Sequence, residues 1–220
     1  MQVYGRKLLF LGAHPDDIEL GCGALLSNLD KRAEILCVTL SDNRKNPALQ
    51  KLVDEHYRSM ALLGIERDQI VLGPFETRNF PRDRQEILEF LFDLNRSYQP
   101  DIVFVHTQAD IHQDHSVATL EALRAFRGTT VLGYDVLRSS YGFFPNFLAE
   151  VTEADVERKV RCLSEYSTYC DKYYFSAEVI RSTLMRHGAL AERPFAEGFD
   201  ILRIIGRFGF PPEAKAGGSG

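Results

Sequence analysis

Residues 7–26 read KLLFLGAHPDDIELGCGALL. An apolar run is followed at once by His14, Asp16 and Asp17, and three ionisable side chains at a strand end are costly unless something there uses them. A second stretch, HTQADIHQDH at 106–115, holds Asp110, His112, Asp114 and His115. His14 and Asp17 are three apart and could face the same way across a tight turn; His112 and His115 are also three apart, as a helix begins. A catalytic zinc takes three protein ligands of imidazole and carboxylate type and keeps a position for water. Two histidines and one carboxylate suffice, which leaves at least one histidine and one aspartate for proton transfer. Spacing alone does not say whether His112 or His115 would bind the metal. Such a set suits Zn2+, and also Fe(II), Co(II) or Mn(II).

These side chains need rigid elements behind them. Apolar periodicity predicts strands at 8–11, 35–40, 69–72, 102–105 and 129–132, alternating with helices at 24–32, 48–63, 82–98 and 115–126. After Tyr134 the pattern loosens into the aromatic loop SSYGFFPNF, then helices at 153–169 and 176–187 and an apolar segment at 201–205 expected as an edge strand. Such alternation implies an α/β fold: a Rossmann-like, mostly parallel sheet flanked by helices and built from right-handed crossovers. In open sheets of this type strands 1 and 4 lie side by side, and the ligand crevice opens beyond their carboxyl ends. A metal site at the C-terminal ends of strands 1 and 4 would therefore bring the two motifs together. No repeat and no Gly/Ser/Pro-rich linker divides the chain, so residues 1–210 are expected to form one domain. Residues 211–220, PPEAKAGGSG, read as a disordered tail or an expression remnant.

Acidic residues outnumber basic ones by 31 to 26, a net charge of −5, so the basic footprint of a nucleic-acid binder is missing. No segment approaches the length of a membrane span, and the N-terminal apolar run is too short for a signal-peptide core, which sets a cytoplasmic expectation. Cys22, Cys37, Cys162 and Cys170 show no Cys-x-x-Cys spacing and read as reduced packing residues, not as disulfides or a cysteine zinc site. His56 and His187 read as surface or packing residues; His106 either supports the site from behind or is structural. A glycine-rich phosphate turn is the competing reading of AHPDDIELGCGA, but two acids would repel a phosphate where backbone amides should attract it. Taken alone, the second stretch reads as an Asp114 helix cap with surface histidines; its partnership with the first overturns that.

The motif AHPDD before a glycine-rich helix start, together with the later His-x-Asp-His, resembles the LmbE/PIG-L zinc-dependent de-N-acetylases, which remove acetyl from N-acetylglucosamine-type sugars. SMALLGI after Glu55, PDIVFVH before the second motif and RPFAEGFDILR near the end are also similar to that family's pattern. Carried over by position, the resemblance implies that His14, Asp17 and His115 bind zinc and that Asp16 is the general base. It further implies that a protonated His112, oriented by Asp114, stabilises developing charge. Departures exist: Leu52 stands where many relatives carry Arg, Ser167-Thr168 where Ser-Gln is frequent, and Glu19 follows Ile18 and reads as structural.

Arg44, Lys45, Arg78, Arg82 and Arg84 follow the second and third strands and are expected along the same sheet edge. With Tyr141 from the aromatic loop, they would suit an acetylated amino sugar made anionic by a phosphate or nucleotide; ordinary solvated loop charges are the competing reading. Other readings are hydrolysis of another amide or of a phosphoester, or a sugar-nucleotide binding module without turnover. Presence of His14, Asp16, Asp17, His112 and His115 together favours catalysis. A homo-oligomer is left open.

Overall fold

Leu8, Leu9, Phe10 and Leu11 are all buried, as in a strand covered on both faces. They belong to β1 (Lys7–Gly12), the centre of a seven-stranded sheet in a computed structural model that describes residues 6–30 and 32–206. Parallel pairing joins β1 to β2 (Glu34–Thr39) and β4 (Ile102–His106), β2 to β3 (Ile70–Leu72), and β4 to β5 (Thr130–Tyr134). Two antiparallel strands extend the sheet, giving the order β3-β2-β1-β4-β5-β7-β6, with β6 (Phe147–Glu150) at the edge and β7 (Ala196–Arg203) inside it. Alternate β1 residues serve two cores. Leu8 and Phe10 pack with α1 (Asp17–Asn28), α2 (Leu52–Leu62), α5 (Glu153–Ser164) and α6 (Ala177–Leu190). Leu9 and Leu11 pack with α3 (Arg84–Tyr98) and α4 (Gln113–Ala125) on the other face. The chain therefore leaves β1 towards one face and β4 towards the other, and a crevice opens between their carboxyl ends.

Several expectations are corrected. The first helix starts at Asp17, not Ala24, so Gly21 and Gly23 lie inside it and form no turn. Their lack of a side chain permits close approach: a Cβ on Gly21 would enter the Tyr134 ring, and one on Gly23 would press on Lys159. The segment expected as an edge strand is the end of a longer β7, where Ile201 and Arg203 pair with β5; β6 covers only Ala196–Phe199, and that short strand has no clear alternation to announce it. The helix expected to run to residue 169 stops at Ser164, and a short turn at Ser167–Tyr169 follows. The second helix likewise begins only at Leu52, after a turn at Pro47–Leu49. Cys170 is exposed and packs in no core, unlike the other three cysteines. Residues 211–220 lie outside the described residues. Among those described, no helix is long and apolar enough to cross a membrane.

A buried ion pair fastens α1 to the sheet. Lys159 Nζ lies 2.6 Å from Glu197 Oε1 and donates to the Leu20 carbonyl at 2.6 Å, while Glu197 accepts the N–H groups of Ala24 and Leu25 at 3.1 and 2.7 Å. Leu20 C=O and Ala24 N–H, which a regular helix pairs with each other, both reach this ion pair. Removing one buried partner strands the other's charge, at a cost of about 3–5 kcal/mol. Lys159→Met should therefore lower denaturant stability by about that amount, whereas a loss below about 1 kcal/mol would show the pair to be dispensable.

Candidate active site

The crevice between β1 and β4 holds both motifs. β1 ends at Gly12, and the turn through Ala13 delivers His14, Asp16 and Asp17 as α1 begins; β4 ends at His106, and α4 begins after the His112 cap. Asp16 adopts the left-handed backbone region, φ 114°, which a non-glycine residue rarely takes and which recurs at functional sites. A cavity of about 300 Å3 opens here, with His14, Asp16, Asp17, His112 and His115 at its base.

Hydrogen bonds decide which lone pairs are available. His14 Nε2 faces Asp114 Oδ2 at 3.0 Å, so this ring donates to the carboxylate and turns Nδ1 inward. His115 Nδ1 faces Asp110 Oδ2 at 2.8 Å, which leaves Nε2 inward. Those inward nitrogens lie 3.3 Å apart. Asp17 Oδ2 accepts the backbone N–H groups of Ala13 and His14 at 3.0 and 2.7 Å and lies 3.5 Å from His14 Nδ1; its Oδ1 lies 3.4 Å from His115 Nε2. A tetrahedral ion with bonds of about 2.0–2.1 Å spaces its ligand atoms by about 3.4 Å. The pair His14 Nδ1 and His115 Nε2 has this spacing, and each lies about as far from one oxygen of Asp17.

Two groups of donor atoms lie within reach of a single ion, His14 with His112 and His115, and Asp17 with His106 and His115. His112 Nδ1 accepts the Asp114 N–H at 3.2 Å, so its neutral ring carries the hydrogen on Nε2. His106 Nε2 accepts the Ala13 N–H at 3.1 Å. His106 is wholly buried, stacks on His115 with ring centroids 3.8 Å apart, and stands 3.4 Å from Asp17 Oδ2, which is the supporting arrangement behind the site.

Charge states follow from these contacts. Burial and the adjacent Asp17 push Asp16 well above the usual carboxylate range. Burial opposes charge on Asp17, but His115, His106 and His14 outweigh it and hold the carboxyl well below that range. Burial would lower His14, yet Asp114 and Asp17 raise it to about 10; burial takes His115 down to about 4, so its ring is neutral. Burial and then His14 lower His112 as well, so the expected imidazolium is disfavoured and the ring offers a neutral Nε2–H donor. Asp114 corrects a second expectation: its carboxylate bonds His14 and the Arg78 N–H, and His112 receives only its backbone N–H.

The substrate expectations divide. Arg78 lines the cavity; Arg44 lines an adjoining one of about 260 Å3 and pairs with Asp42. Arg84 is not at the crevice: it pairs with buried Glu121 and ties α3 to α4. Tyr141 is 78% exposed and outside the cavity lining. Sequence reasoning missed Arg138, Tyr169 and Tyr174, which do line it and belong to no motif. The turn that carries Tyr169 is anchored by buried acids: Glu55 accepts from Ser167 Oγ and Thr168 N at 2.5 and 3.2 Å, and Glu19 accepts from Tyr166 Oη at 2.5 Å and faces His56 Nδ1 at 2.9 Å. Glu19 is thus structural, and His56 and His187 are both buried.

With this geometry, the comparisons acquire meaning. The sequence profile of the family described as PIG-L: GlcNAc-PI de-N-acetylase matches residues 9–126, which contain both motifs and more than half of the chain. The chain belongs to that family and is a deacetylase, a metal-dependent amidohydrolase. It is 29% identical over 176 residues, 74% of this chain and 91% of the other, to the uncharacterized deacetylase YaiS of Escherichia coli K12. Its fold matches the N,N'-diacetylchitobiose deacetylase of Pyrococcus horikoshii with a TM-score of 0.73 and 21% identity, over 90% of this chain and 84% of that one. It also matches GalB, a 4-carboxy-2-hydroxymuconate hydratase of Pseudomonas putida, with a TM-score of 0.72 and 16% identity, over 94% and 100%. The fold alone thus does not select the reaction.

Behind the cavity, burial lifts Asp135 to about 6 against the pull of Ser140 and Lys159. With the folded value raised above the unfolded one, the associated stability is present at pH below about 4 and is lost as pH rises through 6. Asp135→Asn should be more stable than the parent by roughly 2–3 kcal/mol at pH 7.5 and about equal to it near pH 3.5. A pH-independent difference in paired denaturation curves would contradict this.

Proposed function

We propose that the enzyme removes the acetyl group from a small N-acetylated amino sugar or its conjugate, with a divalent ion, Zn2+ by preference, on His14 Nδ1, Asp17 Oδ1 and His115 Nε2. The convergence of these three available donors at the floor of the cavity, with Asp16 beside them, carries the reading. The substrate class is supported by the family's description and by the chitobiose deacetylase that shares the fold. When bound, zinc supplies Lewis acidity and draws the pKa of a coordinated water towards about 7. His14 would hold the ion as a neutral ring, with the hydrogen on its second nitrogen kept on Asp114.

The remaining steps belong to the chain's own groups. Asp16 is not needed as a ligand, and burial beside Asp17 raises its proton affinity, so it can take the proton of the attacking water and return it to the departing amine. His112, its Nδ1 held by the Asp114 N–H, presents Nε2–H to the acetamido oxygen as negative charge develops there. That donor needs no protonated ring. Asp110 and Asp114 act through the histidines they orient and are positioning residues.

Asp16→Asn should keep its zinc while acetate release from an acetylated substrate falls by about two orders of magnitude or more; near-normal turnover would remove Asp16 from the proton-transfer role. His115→Ala should lose zinc outright in metal analysis, and full occupancy there would point to another ligand set. Asp110→Asn should weaken zinc affinity about 10–100-fold in a chelator competition, and unchanged affinity would deny it a part in orienting His115.

A further inference from the structure

Most basic side chains at the rim are already neutralised. Arg44 pairs with Asp42 at 3.3 Å, Lys45 with Glu76 at 2.9 Å, and Arg82 with Asp83 at 2.6 Å. Arg78 and Arg138 differ: both line the cavity, and neither has a carboxylate within ion-pair distance among the described residues. They enter from separate segments, Arg78 from the loop after β3 and Arg138 from the loop after β5.

Arg78 is held unusually firmly for a loop residue. Its backbone is left-handed, φ 71°, and pinned on both sides: its N–H donates to Asp114 Oδ2 at 2.6 Å and its carbonyl accepts from Gln113 Nε2 at 2.7 Å. A β-carbon in this region is disfavoured, so the conformation persists because its surroundings enforce it. The guanidinium consequently starts from a fixed point on the cavity rim, where the site cavity meets the adjoining one. Arg138 stands near enough to Asp16, Tyr169 and Tyr174 for its positive charge to act on all three. At the rim, two uncompensated guanidiniums attract an anion.

We infer that the substrate of the proposed deacetylation bears an anionic group, a carboxylate or a phosphate, which Arg78 and Arg138 bind at the rim while the acetamido group reaches the floor. This rests on the deacetylase reading for the position of the acetyl group. Guanidinium forks match the paired oxygens of either anion, and two such contacts would set specificity through binding, with no part in the bond-breaking step. Tyr169 and Tyr174 line the same cavity, and their rings would suit the uncharged body of the sugar.

Equilibrium binding to the zinc-loaded Asp16→Asn protein tests this independently of turnover, using N-acetylglucosamine, N-acetylglucosamine 1-phosphate and N-acetylmuramic acid. At least one anionic sugar should bind about tenfold or more tightly than the neutral one, and adding Arg78→Met or Arg138→Met should each reduce that ratio about tenfold. The phosphate and carboxylate arms show which anion is preferred. Equal binding of all three sugars would overturn the inference. So would a preference that survives both methionine variants, because the metal would then be reading the anion. Arg78→Lys keeps the charge without the fork and should lose part of the preference; a preference for the neutral sugar in Arg78→Lys would overturn the inference. Acetate release by the unaltered enzyme is measured in parallel. Its absence from every sugar, with the charge-dependent binding intact, would contradict the deacetylase reading while leaving the anion site standing.

Discussion

Two carboxylate–imidazole hydrogen bonds organise this protein's site, Asp114 to His14 and Asp110 to His115. Each holds one ring nitrogen as a donor and turns the other toward the crevice, a lone pair on neutral His115 and, on His14, a nitrogen that must give up its proton to bind an ion. Without them, five imidazoles and carboxylates within a few ångströms could share protons in many ways, and no particular trio would be ready for an ion. With them, His14 Nδ1 and His115 Nε2 stand 3.3 Å apart beside Asp17. The same logic weakens a competitor: the backbone N–H of Asp114 occupies His112 Nδ1. Asp114 has a further duty, because its Oδ2 also accepts the Arg78 N–H. The rim residue inferred to read substrate charge is thereby tied to the carboxylate that orients a proposed ligand.

Such a cluster can persist only in a rigid frame. The sheet order reverses between β1 and β4, which sends α1 and α4 to opposite faces and leaves their starts flanking one crevice. Gly21 lets α1 approach Tyr134, whose hydroxyl donates to the Leu11 carbonyl and also lies 3.3 Å from His106 Nε2. Buried charge recurs beneath the site, in Lys159–Glu197 and in the Glu19–His56 pair with Tyr166. These pairs join separate helices and strands to one another, which suits a framework that must hold donor atoms to a few tenths of an ångström.

Much of this was legible in the sequence. Apolar runs bounded by turns located the parallel strands, and the adjacency of strands 1 and 4 brought His14, Asp16 and Asp17 to Asp110, His112, Asp114 and His115. What escaped was set by tertiary contact. Gly21 and Gly23 looked like a turn because their value lies in what packs on them, Tyr134 and Lys159, which are distant in sequence. β6 was missed because its four residues, three half-buried and one exposed, carry no alternation. Asp114 was matched to the nearest histidine in sequence, whereas its carboxylate faces one a hundred residues away. Arg84 looked like an edge residue until the docking of α3 on α4 gave it Glu121. Arg138, Tyr169 and Tyr174 carry no spacing signal, since loops with no periodicity bring them to the cavity.

The central claim is that His14, Asp17 and His115 hold the ion. Crystals of the zinc-loaded protein, with anomalous diffraction recorded on both sides of the zinc absorption edge, test it most directly. The account predicts one strong peak about 2.0–2.1 Å from His14 Nδ1, Asp17 Oδ1 and His115 Nε2, with His112 and His106 outside bonding distance. A peak bonded to His112 or His106 in place of His14 or Asp17, or lying away from the crevice, would contradict it.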